Sequence, residues 1–356
     1  MINVISRINK KKLIFKDIKP HKILFLDNGY FQPKKKIRDS FTLHNDYVYI
    51  IPLIKAFLEI FFTRNDTKLR IIYFQKLIKS FKPKIIISND FDRRIAEVKK
   101  INKKIKTLIY QHNSMFVKNS QINIIKNLKA RTYDYFFVYD EYSKKLFSKY
   151  IQAKYKVAGS LRYNEFKADV KPYKYDIMFI SEYRSKKSEI PIFCQKKILE
   201  ILNEYKRNNN VKICIALNSI RKEKKINLNE EKKFIKTHAP DIELENNDTG
   251  YSLAAKSKLI VFISSNLGAE ILSSKKRVLG LFMKGNFRKK WKSDYISKKT
   301  NLFLNYTMNK KEIFKKIDYL LKIKEKKWLK ILKSSKLNSK YDYKNKIFFK
   351  IIKKLS

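Results

Sequence analysis

Short, continuously apolar runs alternate along this chain with longer runs whose apolar positions recur every three or four residues. The short runs are "HKILFL" (21–26), "KIIIS" (84–88), "KTLIYQ" (106–111), "DYFFVY" (134–139) and "YKVAG" (155–159). A second series follows: "YDIMFIS" (175–181), "VKICIAL" (211–217), "DIELE" (241–245), "KLIVFIS" (258–264) and "KRVLGLF" (276–282). Runs apolar at successive positions suit strands buried on both faces. The spacing between them predicts helices over 67–81, 91–103, 120–130, 141–150, 189–208, 228–238, 249–256 and 267–275. Alternating strand and helix means parallel strands joined by crossover helices.

The alternation runs through twice. Between its halves lies "RYNEFKADVKPYK" (162–174), polar and holding one proline, which reads as an interdomain linker. After Phe282 the strands stop, and Lys-rich helical runs cover 309–323, 325–335 and 343–354. The fold class expected is α/β: two Rossmann-like domains, 1–165 and 166–308, facing across a cleft, with a helical tail over 309–356. The longest apolar stretch, "YVYIIPLIKAFLEIFF" (Tyr47–Phe62), is interrupted by Pro52, Lys55 and Glu59 and is short for a bilayer span. It reads as a buried core helix, with an interfacial membrane helix as the other reading.

Composition changes this picture in one respect. Lys+Arg number 83 against 32 Asp+Glu, a formal charge of +51. Such an excess attracts polyanions: nucleic acid, an anionic membrane face or phosphorylated substrates. Lys far outnumbers Arg, and Ile, Asn, Tyr and Phe abound, as A/T-rich codons would give; about half of the excess is assigned to that background. The apolar fraction of 44% marks a globular chain. The two cysteines, Cys194 and Cys214, fit no metal spacing, and a reducing cytoplasm is expected. The N-terminus has no signal-peptide apolar core.

In open α/β sheets ligands bind beyond the carboxyl ends of the strands, so the residues there are the candidates. After the first strand come Asp27, Asn28 and Gly29, a turn or acceptor contact. After the second, Asp90 and Asp92 suit a helix cap better than catalysis. After the third come Gln111, His112 and Asn113. Of the histidines at 21, 44, 112 and 238, His112 alone ends a predicted buried strand, where an imidazole could deprotonate a sugar hydroxyl or serve as a structural hydrogen-bonding group. In the second series, Ser181 is followed by a loop with Arg184, Lys186 and Lys187, whose charges suit a phosphate leaving group. Asn218 ends another strand.

The richest constellation is "ISSNLGAE". Ser265 or Asn266 caps a helix, and Gly268 in its first turn leaves room for a ligand or backbone to approach. Ser264, Ser265 and the amide groups at the helix start suit a phosphate. Glu270 suits sugar or ribose hydroxyls, or partners the helix dipole.

These residues resemble a known pattern. Over roughly residues 20–300 the layout resembles the GT-B glycosyltransferase fold. "TYDYFFVYDEYSKKLFSKY…YKVAGSLRYN", with Val157, Gly159 and Ser160, looks like the end of the first domain in bacterial surface-carbohydrate biosynthesis proteins. "IYQHNSMF" resembles the Gln-His-Gly or Trp-His-Gly turn of capsule, Kdo and CDP-glycerol-type transferases, with Asn113 where they have glycine. "GYSLAAKSKLIVFISSNLGAEILSSKKRVLGLF" is similar to their donor-side segment, matching at Ser264, Ser265, Gly268 and Glu270. "KTHAPD" places Ala239 between His238 and Pro240, where CMP-sugar-using relatives have His-Pro.

The resemblance implies metal-independent transfer of a sugar from a nucleotide-sugar, CMP- or CDP-linked among the possibilities, to a surface polysaccharide or lipid-linked acceptor. His112 would be the base, and Arg184 would offset leaving-group charge. No further cofactor is implied. The basic surface and Lys-rich tail would hold the enzyme on anionic lipid at the inner face of the cytoplasmic membrane. Two readings compete: a sugar-nucleotide epimerase of the same shape, and a non-enzymatic nucleic-acid-binding protein, for which no zinc-finger, RRM or KH signature appears.

Overall fold

The computed structural model describes residues 12–27, 31, 33, 37–44, 47–63, 69–89, 92, 94–112, 131–183, 189–218, 228–245, 248–263, 265–281, 304–305, 307–334 and 340–356. These fall into two compact units. The first takes the described residues up to 112, 131–165 and 345–356; the second takes 166–344.

In the first unit the chain runs β1 (Lys12–Ile14), β2 (Ile23–Asp27), β3 (Ser40–His44), β4 (Tyr47–Tyr49), α1 (Ile50–Thr63), α2 (Leu69–Phe81), β5 (Ile85–Asn89), α3 (Arg94–Ile101), β6 (Lys106–Tyr110), β7 (Arg131–Val138), α4 (Glu141–Phe147) and β8 (Ile151–Val157). Six strands form a parallel sheet in the order β3-β2-β5-β6-β7-β8, and β1 pairs with β4. The second unit runs β9 (Tyr175–Ile180), α5 (Glu189–Asn208), β10 (Ile213–Ala216), α6 (Leu228–His238), β11 (Glu243–Glu245), α7 (Gly250–Ala255), β12 (Ser257–Phe262), α8 (Asn266–Leu272), β13 (Arg277–Leu281), β14 (Leu304–Asn305), α9 (Lys310–Lys322) and α10 (Glu325–Ser334). Its parallel order β11-β10-β9-β12-β13-β14 is the doubly wound arrangement, reversing direction between β9 and β12.

Each strand predicted from an apolar run is present. Strands β5, β9, β10 and β12 are almost wholly buried, as two-sided crossover packing requires. The helix expected over 120–130 lies outside the described residues. Sequence reasoning did not find β1, β3, β4 or β14.

Two expectations are corrected. The Lys-rich tail does not stay together. Helices α9 and α10 pack in the second unit: Asp318 accepts from the Tyr205 hydroxyl at 2.5 Å, and the buried Trp328 indole donates to the Lys275 carbonyl at 2.7 Å. The last helix, α11 (Lys346–Leu355), instead inserts Phe348, Ile351 and Ile352 into the core of the first unit, beside Ile23, Phe25, Ile87 and Leu108. Its Lys side chains are the solvated face of an amphipathic helix.

The second correction concerns Tyr47–Phe62, read as a core helix. Helix α1 buries only Pro52 and Ala56, while Ile51, Ile54, Phe57, Leu58, Phe61 and Phe62 are exposed. Composition had registered the apolarity but not which surface, if any, would cover it. Among the described residues no helix is long and apolar enough to cross a membrane.

Candidate functional site

The reversal in the second unit brings two strand ends side by side. Strands β9 and β12 pair with Phe179 opposite Val261, so Ser181 and the residues before α8 leave adjacent strands on the same edge. This is the crevice where doubly wound sheets take ligands.

On the β9 side, buried Ser181 donates its hydroxyl to Glu231 and accepts from Gln195 Nε2 at 3.0 Å. Glu231 sits fully buried in the first turn of α6 and also accepts the Asn218 N–H at 2.9 Å. The Asn218 side chain donates to the Tyr183 carbonyl at 2.8 Å. One buried carboxylate thus ties together the loops leaving β9 and β10. Sequence reasoning found Ser181 and Asn218 but missed Glu231 and Gln195, because an acid opening a helix ordinarily reads as a dipole partner. Arg184, Lys186 and Lys187 lie outside the described residues.

On the β12 side, Ser265 is the N-cap of α8, accepting the Leu267 N–H at 3.2 Å, and its carbonyl accepts the Gly268 N–H at 3.1 Å. Two first-turn amides are therefore satisfied inside the helix, so a phosphate here would be met by groups before Leu267. Ser264 lies outside the described residues. Glu270 is 1% exposed and accepts from the Tyr251 hydroxyl of α7; the Tyr251 ring stacks on Phe166 with centroids 4.8 Å apart. A carboxylate paired this way is oriented before any ligand arrives.

Gly268 is corrected. The room left by its missing side chain is filled by the Phe262 ring, which a Cβ at this position would overlap. The glycine serves the close packing of α8 on β12 and not the approach of a ligand. Gly268→Ala should therefore cost about 1–3 kcal/mol through overpacking, seen in chemical denaturation, and Phe262→Leu in the same chain should recover part of it. An unchanged midpoint for Gly268→Ala would return the position to ligand binding.

His238 stands apart from this edge. It ends α6, the crossover that carries the chain back from the strand ends, with Nδ1 3.5 Å from Glu200 Oε1 and its ring edge-on to Phe234 at 4.9 Å. Both cysteines are free and buried.

In the first unit, Gln111 and His112 follow β6, next to β5. The main chain there is held firmly: Gln111 N–H donates to Phe137 O at 2.8 Å, Gln111 Oε1 accepts Tyr139 N–H at 3.0 Å, and the Tyr139 hydroxyl donates to His112 O at 3.0 Å. Both residues are buried. A second histidine, His44, closes the unpredicted, half-buried edge strand β3 opposite Asp27. Three strand spacings, about 14 Å, separate β3 from β6.

Asp92 caps α3, accepting the Arg94 N–H at 2.9 Å and meeting the Arg94 guanidinium at 2.7 Å and the Ser88 hydroxyl at 2.9 Å. Burial pushes its carboxyl up, and these partners more than reverse this, leaving it below the ordinary carboxylate range. Asp92 is thus committed to a structural ion pair, as the capping reading expected. Asn28, Gly29, Asp90 and Asn113 lie outside the described residues, and of Asp27 only its place as the last residue of β2 is described.

Known proteins place this geometry. No curated protein matches the chain in sequence. Among solved structures it is similar to the Staphylococcus aureus MnaA protein solved with UDP: TM-score 0.53, 11% identity, 94% of this chain and 96% of that chain covered. A protein from Listeria monocytogenes described as a UDP-N-acetylglucosamine 2-epimerase gives TM-score 0.55 and 12% identity over 95% of this chain and 96% of that one. The Neisseria meningitidis UDP-GlcNAc 2-epimerase bound to UDP-GlcNAc gives 0.50 and 13% over 95% and 100%. At these identities the likeness establishes the fold, two Rossmann-like units of the GT-B kind. A family model described as "putative O-antigen biosynthesis protein" matches residues 113–356. The chain belongs to this family of O-antigen biosynthesis proteins.

Proposed function

We propose that the protein is a glycosyltransferase of surface-polysaccharide assembly, moving a sugar from a nucleotide-sugar to a saccharide or lipid-linked acceptor without a metal ion. The observation that carries this reading is the β9/β12 edge of the second unit. There the buried Tyr251–Glu270 pair and the Ser181–Glu231 network stand at the point where doubly wound sheets bind nucleotides. In this reading Ser264, Ser265 and Asn266 meet the donor phosphates, Glu270 takes sugar or ribose hydroxyls, and Arg184 offsets the charge of the departing nucleotide. Asn218 and Gln111 act by shaping the loops, since their side chains are engaged with Tyr183 and Tyr139.

The first unit presents the acceptor. His112 takes the proton from the acceptor hydroxyl as its oxygen bonds to the anomeric carbon, and the nucleotide leaves with the electrons of the broken carbon–oxygen bond. UDP-linked donors come first among the candidates, supported by neighbours solved with UDP and UDP-GlcNAc; cytidine donors come second.

Epimerisation is the second reading, favoured by epimerase neighbours that match over nearly their whole length. One experiment separates the two. The purified protein is first screened for thermal stabilisation by UDP-, CMP-, CDP-, GDP- and ADP-sugars. The stabilising donor is then incubated alone and with O-antigen intermediates, in EDTA. Transfer requires nucleotide release to depend on acceptor and to survive EDTA. Interconversion of the donor sugar with no acceptor present would replace transfer by epimerisation.

A further inference from the structure

Of the exposed large hydrophobic side chains among the described residues, all but Val170, Phe193 and Leu228 lie between Leu13 and Phe62. They gather on two adjoining elements. On α1, Ile51, Ile54, Leu58, Phe61 and Phe62 recur at helical spacing along one side, with Phe57 at its margin, and Phe61 and Phe62 are 78% and 75% exposed. Strand β4 leads straight into α1 and pairs with β1, which holds exposed Leu13 and is followed by exposed Phe15. The opposite side of α1 is short and settled: Pro52 and Ala56 are buried, and Glu59 pairs with Lys76 of α2. Among the described residues, the apolar face therefore continues beyond one helix and stays exposed.

Its surroundings name the chemistry. Lys55 lies four residues after Ile51 and three before Leu58, at the edge of the same face, and is exposed. Among the described residues of the segments that carry β1 and follow α1, Lys12, Lys16, Lys19 and Arg70 are exposed, as is one acid, Asp17. A second copy of this chain would bring another +51 charge to the same surface, which disfavours self-association through it. An anionic bilayer complements both parts, headgroups meeting the cations and acyl chains the apolar side chains. The helix has 14 residues, about 21 Å, which suits lying in the interface.

We propose that α1, with the β1–β4 pair, is an interfacial lipid-binding face that seats the protein on an anionic membrane through Ile51, Ile54, Leu58, Phe61 and Phe62. This moves the contact from the Lys-rich tail, whose apolar sides are spent inside the two units, to the helix read from sequence first as a core helix and otherwise as an interfacial one. The inference rests on the surface of the first unit and not on the reaction proposed above. Vesicle binding is measured without donor or acceptor, so either can fail alone.

The test is co-sedimentation of the full chain with phosphatidylglycerol-rich vesicles and with pure phosphatidylcholine vesicles. The parent should bind the anionic vesicles more tightly. Phe61→Ser with Phe62→Ser should weaken that binding about ten- to hundredfold at unchanged melting temperature. Phe193→Ser, exposed in the second unit, should leave it unchanged. Equal binding by the double variant would overturn the proposal, showing that bulk charge alone drives association. So would a parent that binds no vesicle but forms a dimer, in analytical ultracentrifugation, that the double variant abolishes.

Discussion

His112→Ala should lower turnover about 10²–10⁴-fold, the usual contribution of a positioned general base, while leaving donor-induced thermal stabilisation in place. Three hydrogen bonds, through Gln111 N–H, Gln111 Oε1 and His112 O, pin residues 111–112 to the exit of β7. A side chain on so fixed a main chain loses little entropy when it meets a substrate. His112 is 8% exposed, at the end of a strand in the middle of the sheet, whereas His44 lies on the edge strand. The measurement is kcat and KM against pH for both proteins. A base acting through an imidazole gives an acidic limb in the kcat/KM profile, and the variant should lose that limb. A purely structural histidine would instead lower the melting temperature and leave the profile's shape intact. Near-normal turnover would remove His112 from the chemistry.

The fold was largely legible because its central strands are buried on both faces, and such strands must be apolar at every position. The edge elements were not. Strand β3, "SFTLH", is only half-buried, so its composition mixes with that of loops. Strand β14 has two residues and no pattern to find. Helix α1 shows the opposite failure: "IIPLIKAFLEIFF" announces apolar surface, but periodicity does not say whether protein covers it. At the candidate site, Ser265 was legible because capping is a local rule, written in a serine before a helix. Glu231 was not, because its partners Ser181 and Asn218 lie 50 and 13 residues away and meet it only through the pairing of β9 with β10. Gly268 was read correctly as a demand for space and wrongly as to what fills it. Phe262 stands six residues earlier, and only the strand-to-helix turn brings its ring over the glycine.

Phe348→Ala should destabilise the first unit by about 3–5 kcal/mol, a large part of the roughly 5–15 kcal/mol that holds a typical domain. Phe348 is fully buried, its ring edge-on to Phe31 at 5.6 Å and to Phe137 at 5.1 Å, so its loss empties the space between α11 and the sheet. The helix is held at its start by a buried polar latch. Asn345 donates through Nδ2 to the Leu161 carbonyl at 2.8 Å and to Glu165 at 2.5 Å, and its Oδ1 accepts from Asn164 at 2.9 Å. Lys344 and Asn345 both have positive φ, 63° and 52°, a turn that asparagine tolerates better than most residues. Asn345→Leu should therefore act in the same direction, taking one partner each from buried Asn164 and half-buried Glu165. Urea denaturation should show the transition of the first unit moving down in both variants while that of the second unit keeps its midpoint. The chain's last twelve residues would then be a required part of the first sheet's core, and truncating them for convenience would remove stability where the acceptor is proposed to bind. If Phe348→Ala leaves both transitions in place, α11 is a surface appendage and the first unit folds without it.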